Sequence, residues 1–112
     1  MNNIIQHFID GKFTSGNSTR AGKIYNPATG EQSSQVSLGT KKDVDNAIAV
    51  AKKSFLSWSE KPPLQRARIL FKYKEIIEKN SDEIIKLIVS EHGKVYDDAK
   101  GSLIRGLEVI EF

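Results

Sequence analysis

Four features of the sequence have residue types or spacing that could do chemistry: the pair Asp97-Asp98, the histidines His7 and His92, the glycines Gly101 and Gly106, and Arg105. Paired carboxylates can divide acid and base roles. Adjacent positions on a helix point in different directions, however, so Asp97 and Asp98 are better read as complementing the positive end of a helix dipole. The two histidines stand alone, without the spacing that binds a metal, and are read as structural or surface residues. Gly101 and Gly106 have phosphate-loop spacing, but Leu107 stands where a lysine is needed and both glycines fall within a helical pattern, so the match is chance. Arg105 is the remaining candidate. From spacing alone it reads as a solvated arginine beside an apolar stripe. The chain has no cysteine, which excludes a thiolate nucleophile, disulfides and thiolate metal sites within it.

These residues must be positioned by a chain of 112 residues, 38% hydrophobic and 28% charged, a composition suited to a folded domain or a piece of a larger one. The net charge of +3 invites a nucleic-acid reading. The basic residues are interleaved with acids, as where Lys41-Lys42 adjoins Asp43 and Asp45, and no nucleic-acid motif accompanies them, so solvated helix surfaces are the better reading. No apolar run approaches the ~20 residues of a membrane span, and the N-terminus lacks the pattern of a secretory signal. The expected location is cytoplasmic, with neither nucleic acid nor membrane as partner.

Residues 1–39 read as β structure and turns. Asp10-Gly11 lies between Phe8-Ile9 and Lys12-Phe13, a two-residue hairpin signal. "TSGNSTRAG" is a polar loop whose sequon, Asn17-Ser18-Thr19, is read as chance. A second hairpin turns at Asn26-Pro27-Ala28-Thr29-Gly30-Glu31: Pro27 presets φ, Gly30 accepts positive φ and the Asn26 side chain can bond the backbone two residues on.

Residues 40–112 read as four helices. Thr40 is the expected cap of the first, with Asp43 completing a capping box, and Val44, Ala47, Ile48, Ala51, Phe55 and Trp58 form one apolar stripe. That stripe assigns Phe55 and Trp58 to the core. Pro63 opens the second helix, which is apolar on a wide face. Ser81 is the expected cap of the third, which ends at Gly93 and is apolar over most of its circumference. The fourth carries a stripe of Val95, Ala99, Leu103, Gly106 and Ile110, and "LEVIEF" reaches the last residue without a stop signal. The chain therefore reads as a fragment.

With these elements in order, "FIDGKF", "NPATGE", "DVDNAIAVAKKSF", Trp58, "RARIL" and "SEHGK" resemble the N-terminal part of the aldehyde dehydrogenase superfamily over nearly the whole chain. "GKVYDDAKGSLIRGLEVIEF" is similar to the corresponding helix of the CoA-acylating methylmalonate-semialdehyde dehydrogenases, above all in "RGLEV". The resemblance implies an α/β fold of two β-hairpins followed by four helices, an incomplete part of an NAD-binding domain (1–39 hairpins, 40–112 helices). It implies an enzyme several times longer, using NAD and coenzyme A. In that family a cysteine attacks the aldehyde, hydride passes to nicotinamide, and the resulting thioester is transferred. In this branch the acyl group loses CO2 and goes to coenzyme A, giving propionyl-CoA or acetyl-CoA in valine and inositol breakdown.

Lacking cysteine, this chain alone is expected to be inactive and to bind neither cofactor. The partners implied are the remainder of the polypeptide, a small semialdehyde and further copies in a homo-oligomer. The resemblance also places Arg105 beside the substrate tunnel, as the holder of a second carboxylate. It places a monovalent cation between the backbone at Ile24-Tyr25 and Glu91, where glutamate replaces the more usual aspartate; from sequence alone a surface role for Glu91 weighs more. Two other readings compete: a different branch, such as one oxidising succinate semialdehyde, and a small helical binding module.

Overall fold

A computed structural model describes residues 4–112. Five strands, β1 (Ile4–Ile5), β2 (His7–Ile9), β3 (Lys12–Thr14), β4 (Ala21–Tyr25) and β5 (Gln32–Ser37), precede four helices. The helices are α1 (Lys41–Ser59), α2 (Pro63–Lys79), α3 (Ser81–His92) and α4 (Tyr96–Glu111). The described residues form two compact units. The first holds the chain through Tyr25 together with Glu31–Glu60; the second holds Asn26–Gly30 with Lys61–Phe112.

In the first unit, β2 and β3 pair antiparallel about Asp10 and Gly11, with φ of 56° and 70°. Both turn residues are thus left-handed, the conformation whose twist matches a two-residue hairpin, and aspartate and glycine are residues that tolerate it. Phe8 and Phe13 sit opposite each other with ring centroids 5.2 Å apart. The second hairpin pairs β4 with β5, and Ser33 is an extra residue between Ile24↔Ser34 and Tyr25↔Gln32. Its hydroxyl donates to the Ile24 carbonyl at 3.3 Å, partnering a group at the bulge. Sequence patterning gives no sign of β1, which pairs parallel with β5 (Ile4↔Gln35, Ile5↔Val36) and makes a three-stranded sheet of order β1-β5-β4. Two residues are too few to show a period.

Helix α1 corrects one expectation. Its spacing assigns the apolar stripe to the core, yet Phe55 is 62% exposed, Val44 and Ile48 are exposed, and Trp58 is only half-buried. The one buried residue of α1 is Asp43. The helix is anchored through the polar residues of its first turn, and most of the apolar period is exposed, with Ala47 and Trp58 half-buried.

In the second unit, α2 begins at Pro63, whose missing N–H is no loss at the first helical position. Ser81 is not the cap of α3. Asn80 occupies that place, and its amide instead donates back to the Ile76 carbonyl at 2.7 Å, so one residue ends α2 and begins α3. Gly93 ends α3 with φ of 67°, as its position predicts. A Cβ there would lie 3.2 Å from Pro27 Cγ, so the Asn26–Gly30 turn packs directly on this helix end. The core of the unit is small: Ile85 of α3, 2% exposed, and Ala99 of α4, fully buried. The α4 stripe also shifts. Val95 and Gly106 are exposed, and the covered face runs through Ala99, Leu103, Leu107 and Ile110, a spacing closer to a helical repeat. Lys74 ties α2 to α4 through Glu111 at 2.7 Å, and also meets Glu78 at 3.1 Å. These two carboxylates raise its pKa, Glu111 contributing most. No helix among the described residues is long and apolar enough to cross a membrane.

Candidate functional site

Arg105 stands in the third turn of α4, exposed. The helix starts after Val95 without a side-chain cap, and Asp97 and Asp98 lie in its first turn, the placement expected for dipole complementation. The Ser102 hydroxyl donates to the Asp98 carbonyl at 3.1 Å. The same oxygen accepts from Arg105 Nη2 at 3.4 Å and from Lys94 Nζ at 3.1 Å. Gly101 underlies the guanidinium, where an added Cβ would be 3.6 Å from Nη1, and a Cβ at Gly106 would meet nothing within 4 Å. Arg105 is therefore lightly held, on a helix surface with open space beside it.

The inner side of α4 meets α3 at a cleft of about 250 Å³ lined by Asp82, Ile85, Tyr96, Lys100, Leu103 and Ile104, among others. At its rim the Tyr96 hydroxyl donates to Asp82 Oδ1 at 2.7 Å. Ionising the phenol would forfeit that bond and place two anions together, which raises the Tyr96 pKa.

A second polar centre lies in the first unit. Asp43, 7% exposed, accepts from the Thr40 amide and the Thr40 hydroxyl at 2.7 Å each, from the Asn17 amide at 3.0 Å, and from the Asn17 side-chain amide. These donors, led by the Thr40 backbone N–H, hold its carboxyl well below the usual carboxylate range. The capping box is legible from Thr40 and Asp43; the third member, Asn17, is not. It lies 26 residues away, in the segment whose sequon reads as chance. Beside this centre is an apolar cavity of about 270 Å³ lined by His7, Phe8, Ile9, Gly39, Val44 and Ala47, with Asp43. Half-buried His7 has its Nε2 covered and without a partner.

His92 is exposed in the last turn of α3, where a basic side chain suits the negative end of the dipole. Glu91 is exposed beside it. Among the described residues no three His, Cys, Asp or Glu side chains are grouped to hold a metal. Gly101 and Gly106 lie within α4, so their spacing forms no phosphate loop.

The strands, the four helices and the α4 surface together define the N-terminal portion of an aldehyde dehydrogenase fold. A sequence profile of the aldehyde dehydrogenase family matches residues 13–112, and the chain belongs to that family. It is 45% identical over 109 residues, 97% of its length, to malonate-semialdehyde dehydrogenase 2 of Bacillus cereus, of which it covers 22%. Among solved structures it superposes with a TM-score of 0.96 and 42% identity on a Sinorhizobium meliloti 1021 protein described as a methylmalonate-semialdehyde dehydrogenase and complexed with NAD. That match covers 100% of this chain and 23% of the other. The methylmalonate-semialdehyde dehydrogenase of Oceanimonas doudoroffii matches with a TM-score of 0.93 and 44% identity, over 99% of this chain and 22% of that one. The chain thus spans less than a quarter of the length of these relatives. Membership of the family replaces the reading as a free-standing helical binding module.

Proposed function

We propose that this segment serves an NAD-dependent dehydrogenase acting on a short semialdehyde that carries a second carboxylate, malonate or methylmalonate semialdehyde, with transfer of the acyl group to coenzyme A and loss of CO2. For malonate semialdehyde the balance is one aldehyde, one NAD⁺ and one coenzyme A giving acetyl-CoA, CO2 and NADH. NAD supplies the hydride acceptor when bound; no residue of this chain is assigned to it or to coenzyme A. The thiolate that attacks the aldehyde belongs to sequence outside these 112 residues, which contain no cysteine. Within the chain, Arg105 holds the substrate's carboxylate and so fixes the aldehyde carbon relative to that nucleophile. Arginine suits the task because its planar fork presents two parallel donors to a carboxylate.

The observation that carries this reading is Arg105 itself: an exposed guanidinium on a helix shared with semialdehyde dehydrogenases of 42–45% identity, held by a long bond to Ser102. Gly106, beside it, leaves room for a ligand. Losing such a charge-assisted contact costs about 2–4 kcal/mol in transition-state binding. In the complete enzyme, Arg105→Leu should lower kcat/KM for malonate or methylmalonate semialdehyde by a factor of roughly tens to hundreds, and for propanal far less. Equal losses on charged and uncharged aldehydes would assign Arg105 to the fold and remove the carboxylate role.

A further inference from the structure

Helix α4 meets α3 across an interface that is only partly filled. Ala99 of α4 and Ile85 of α3 are buried, but the cleft of about 250 Å³ at Ile85 is also lined by Leu103, Ile104 and Leu107 of α4. Apolar contact has no direction, so a helix face seated against an open cleft can slide or turn at little cost. Directional bonds hold its two ends instead. At the first residue of α4, the Tyr96 hydroxyl donates to Asp82 Oδ1 of α3 at 2.7 Å, across the rim of the cleft. At the last, Glu111 pairs with Lys74 of α2 at 2.7 Å.

The two tethers lie about 22 Å apart along the helix axis. Arg105 stands between them, nine residues past Tyr96 and six before Glu111. Its bond to Ser102, at 3.4 Å, stays within α4, so the guanidinium goes where the helix goes. A side chain at the rim of a helix is about 6 Å from the axis, and a turn of roughly 10° carries it through about 1 Å. A displacement of that size is enough to spoil an oriented contact with a substrate. The bond to Asp82 also raises the Tyr96 pKa, which keeps the phenol protonated and able to donate.

We infer that Tyr96 is a positioning residue: through its bond to Asp82 it fixes the axial position and rotation of α4, and thereby the place of the Arg105 guanidinium. This rests on the carboxylate role given to Arg105 above. Tyr96 touches no substrate in this role. Its hydroxyl closes the end of the helix that borders the cleft, and Lys74 with Glu111 holds the other end. The contribution is confined to aldehydes that carry a second carboxylate, since an aldehyde without one makes no contact with the guanidinium.

The test uses the complete enzyme carrying this segment and reads the ratio of kcat/KM for malonate semialdehyde to that for propanal, both on the same preparation so that any loss of folded protein cancels. Tyr96→Phe, which keeps the ring and removes one oxygen, should lower the ratio roughly threefold to tenfold. Asp82→Asn keeps a carbonyl oxygen to accept the hydroxyl and should retain most of the ratio. In an Arg105→Leu background, where the ratio is already reduced, Tyr96→Phe should lower it no further, because no guanidinium is left to place. An unchanged ratio in Tyr96→Phe, with that of Arg105→Leu reduced, would overturn the positioning role and leave the Arg105 reading standing. An equal loss from Tyr96→Phe with and without Arg105 would also overturn it, by showing that the tyrosine acts through another group. An unchanged ratio in Arg105→Leu would remove the Arg105 reading and the positioning role with it.

Discussion

The Asn17–Thr40–Asp43 centre and the α2–α4 helices stabilise their regions in opposite ways. The first is polar and closed within the chain: one carboxylate, almost covered, takes donors from a loop and a helix start. The second is apolar and open. Its core is Ile85 and Ala99, while Leu64, Phe71, Leu87 and Val109 remain exposed. Hydrogen bonds are short and directional, so three residues can complete a set of them. Hydrophobic stabilisation scales with area removed from water, and three helices alone cover little of theirs. A chain spanning 22% of its relatives' length can finish the first kind of structure and not the second. Its remaining apolar surface is of the kind that packs against more protein.

Breaking the small apolar core should have the largest effect. Ile85→Ala removes most of a side chain that is 2% exposed and should cost about 2–5 kcal/mol. Amide exchange in α3 and α4 should rise toward that of the unfolded chain, while the Asn17 amide stays protected. Loss of protection at both would show that the two regions melt together, and the contrast between them would fail.

The polar centre is tested next by Asp43→Asn, which keeps the shape, removes the charge and turns an –NH2 toward donors. The melting temperature should fall by more than it does in Thr40→Ala, whose cost as a lost cap is about 1 kcal/mol. Because the native pKa of Asp43 is lowered from 3.8, its stabilisation is present above that value and is lost as pH falls below it toward the native value. The asparagine variant should lack this part of the acid limb in a pH series of thermal melts. An identical acid limb in both proteins would show that the Asp43 charge does not stabilise the centre.

Gly93→Ala comes third. It forces a side chain into φ of 67° and a Cβ to 3.2 Å from Pro27 Cγ, and should cost about 1–2 kcal/mol by denaturant titration. A neutral result would mean that the turn and the helix end are not pressed together. The smallest effect is expected from Phe55→Ser. In this chain Phe55 is 62% exposed, so stability should change by less than about 0.5 kcal/mol while binding of an apolar dye falls. A large loss of stability there would mean that the α1 stripe is covered in solution, against the open side of the comparison.

Much of the architecture is legible in the sequence because its signals are local. Asp10-Gly11, the turn at Asn26–Gly30, the Thr40 capping box, Pro63 and Gly93 each act through their own backbone within a few residues, and each stands where its chemistry puts it. Ser81 misleads because serine so commonly caps helices, whereas Asn80 serves two helices and spends its side chain on the first. At the candidate site, Arg105 is singled out through the "RGLEV" resemblance. The convergence of Lys94 and Arg105 on Ser102 is invisible in the sequence, since residues separated by a helix start show no common period.

By itself, then, the sequence determined where the chain turns, where helices begin and end, the family it belongs to, and that no thiolate chemistry can occur within these 112 residues. Only the tertiary structure decided which apolar stripes are covered, that Asp43 rather than Phe55 anchors α1, that Asn17 joins a carboxylate 26 residues away, and that two cations share one hydroxyl. The physical reason is range. Turn and cap preferences are set by the dihedrals and donors of neighbouring residues, whereas burial and convergence depend on which distant surfaces meet, and an apolar period shows only that a face can be buried.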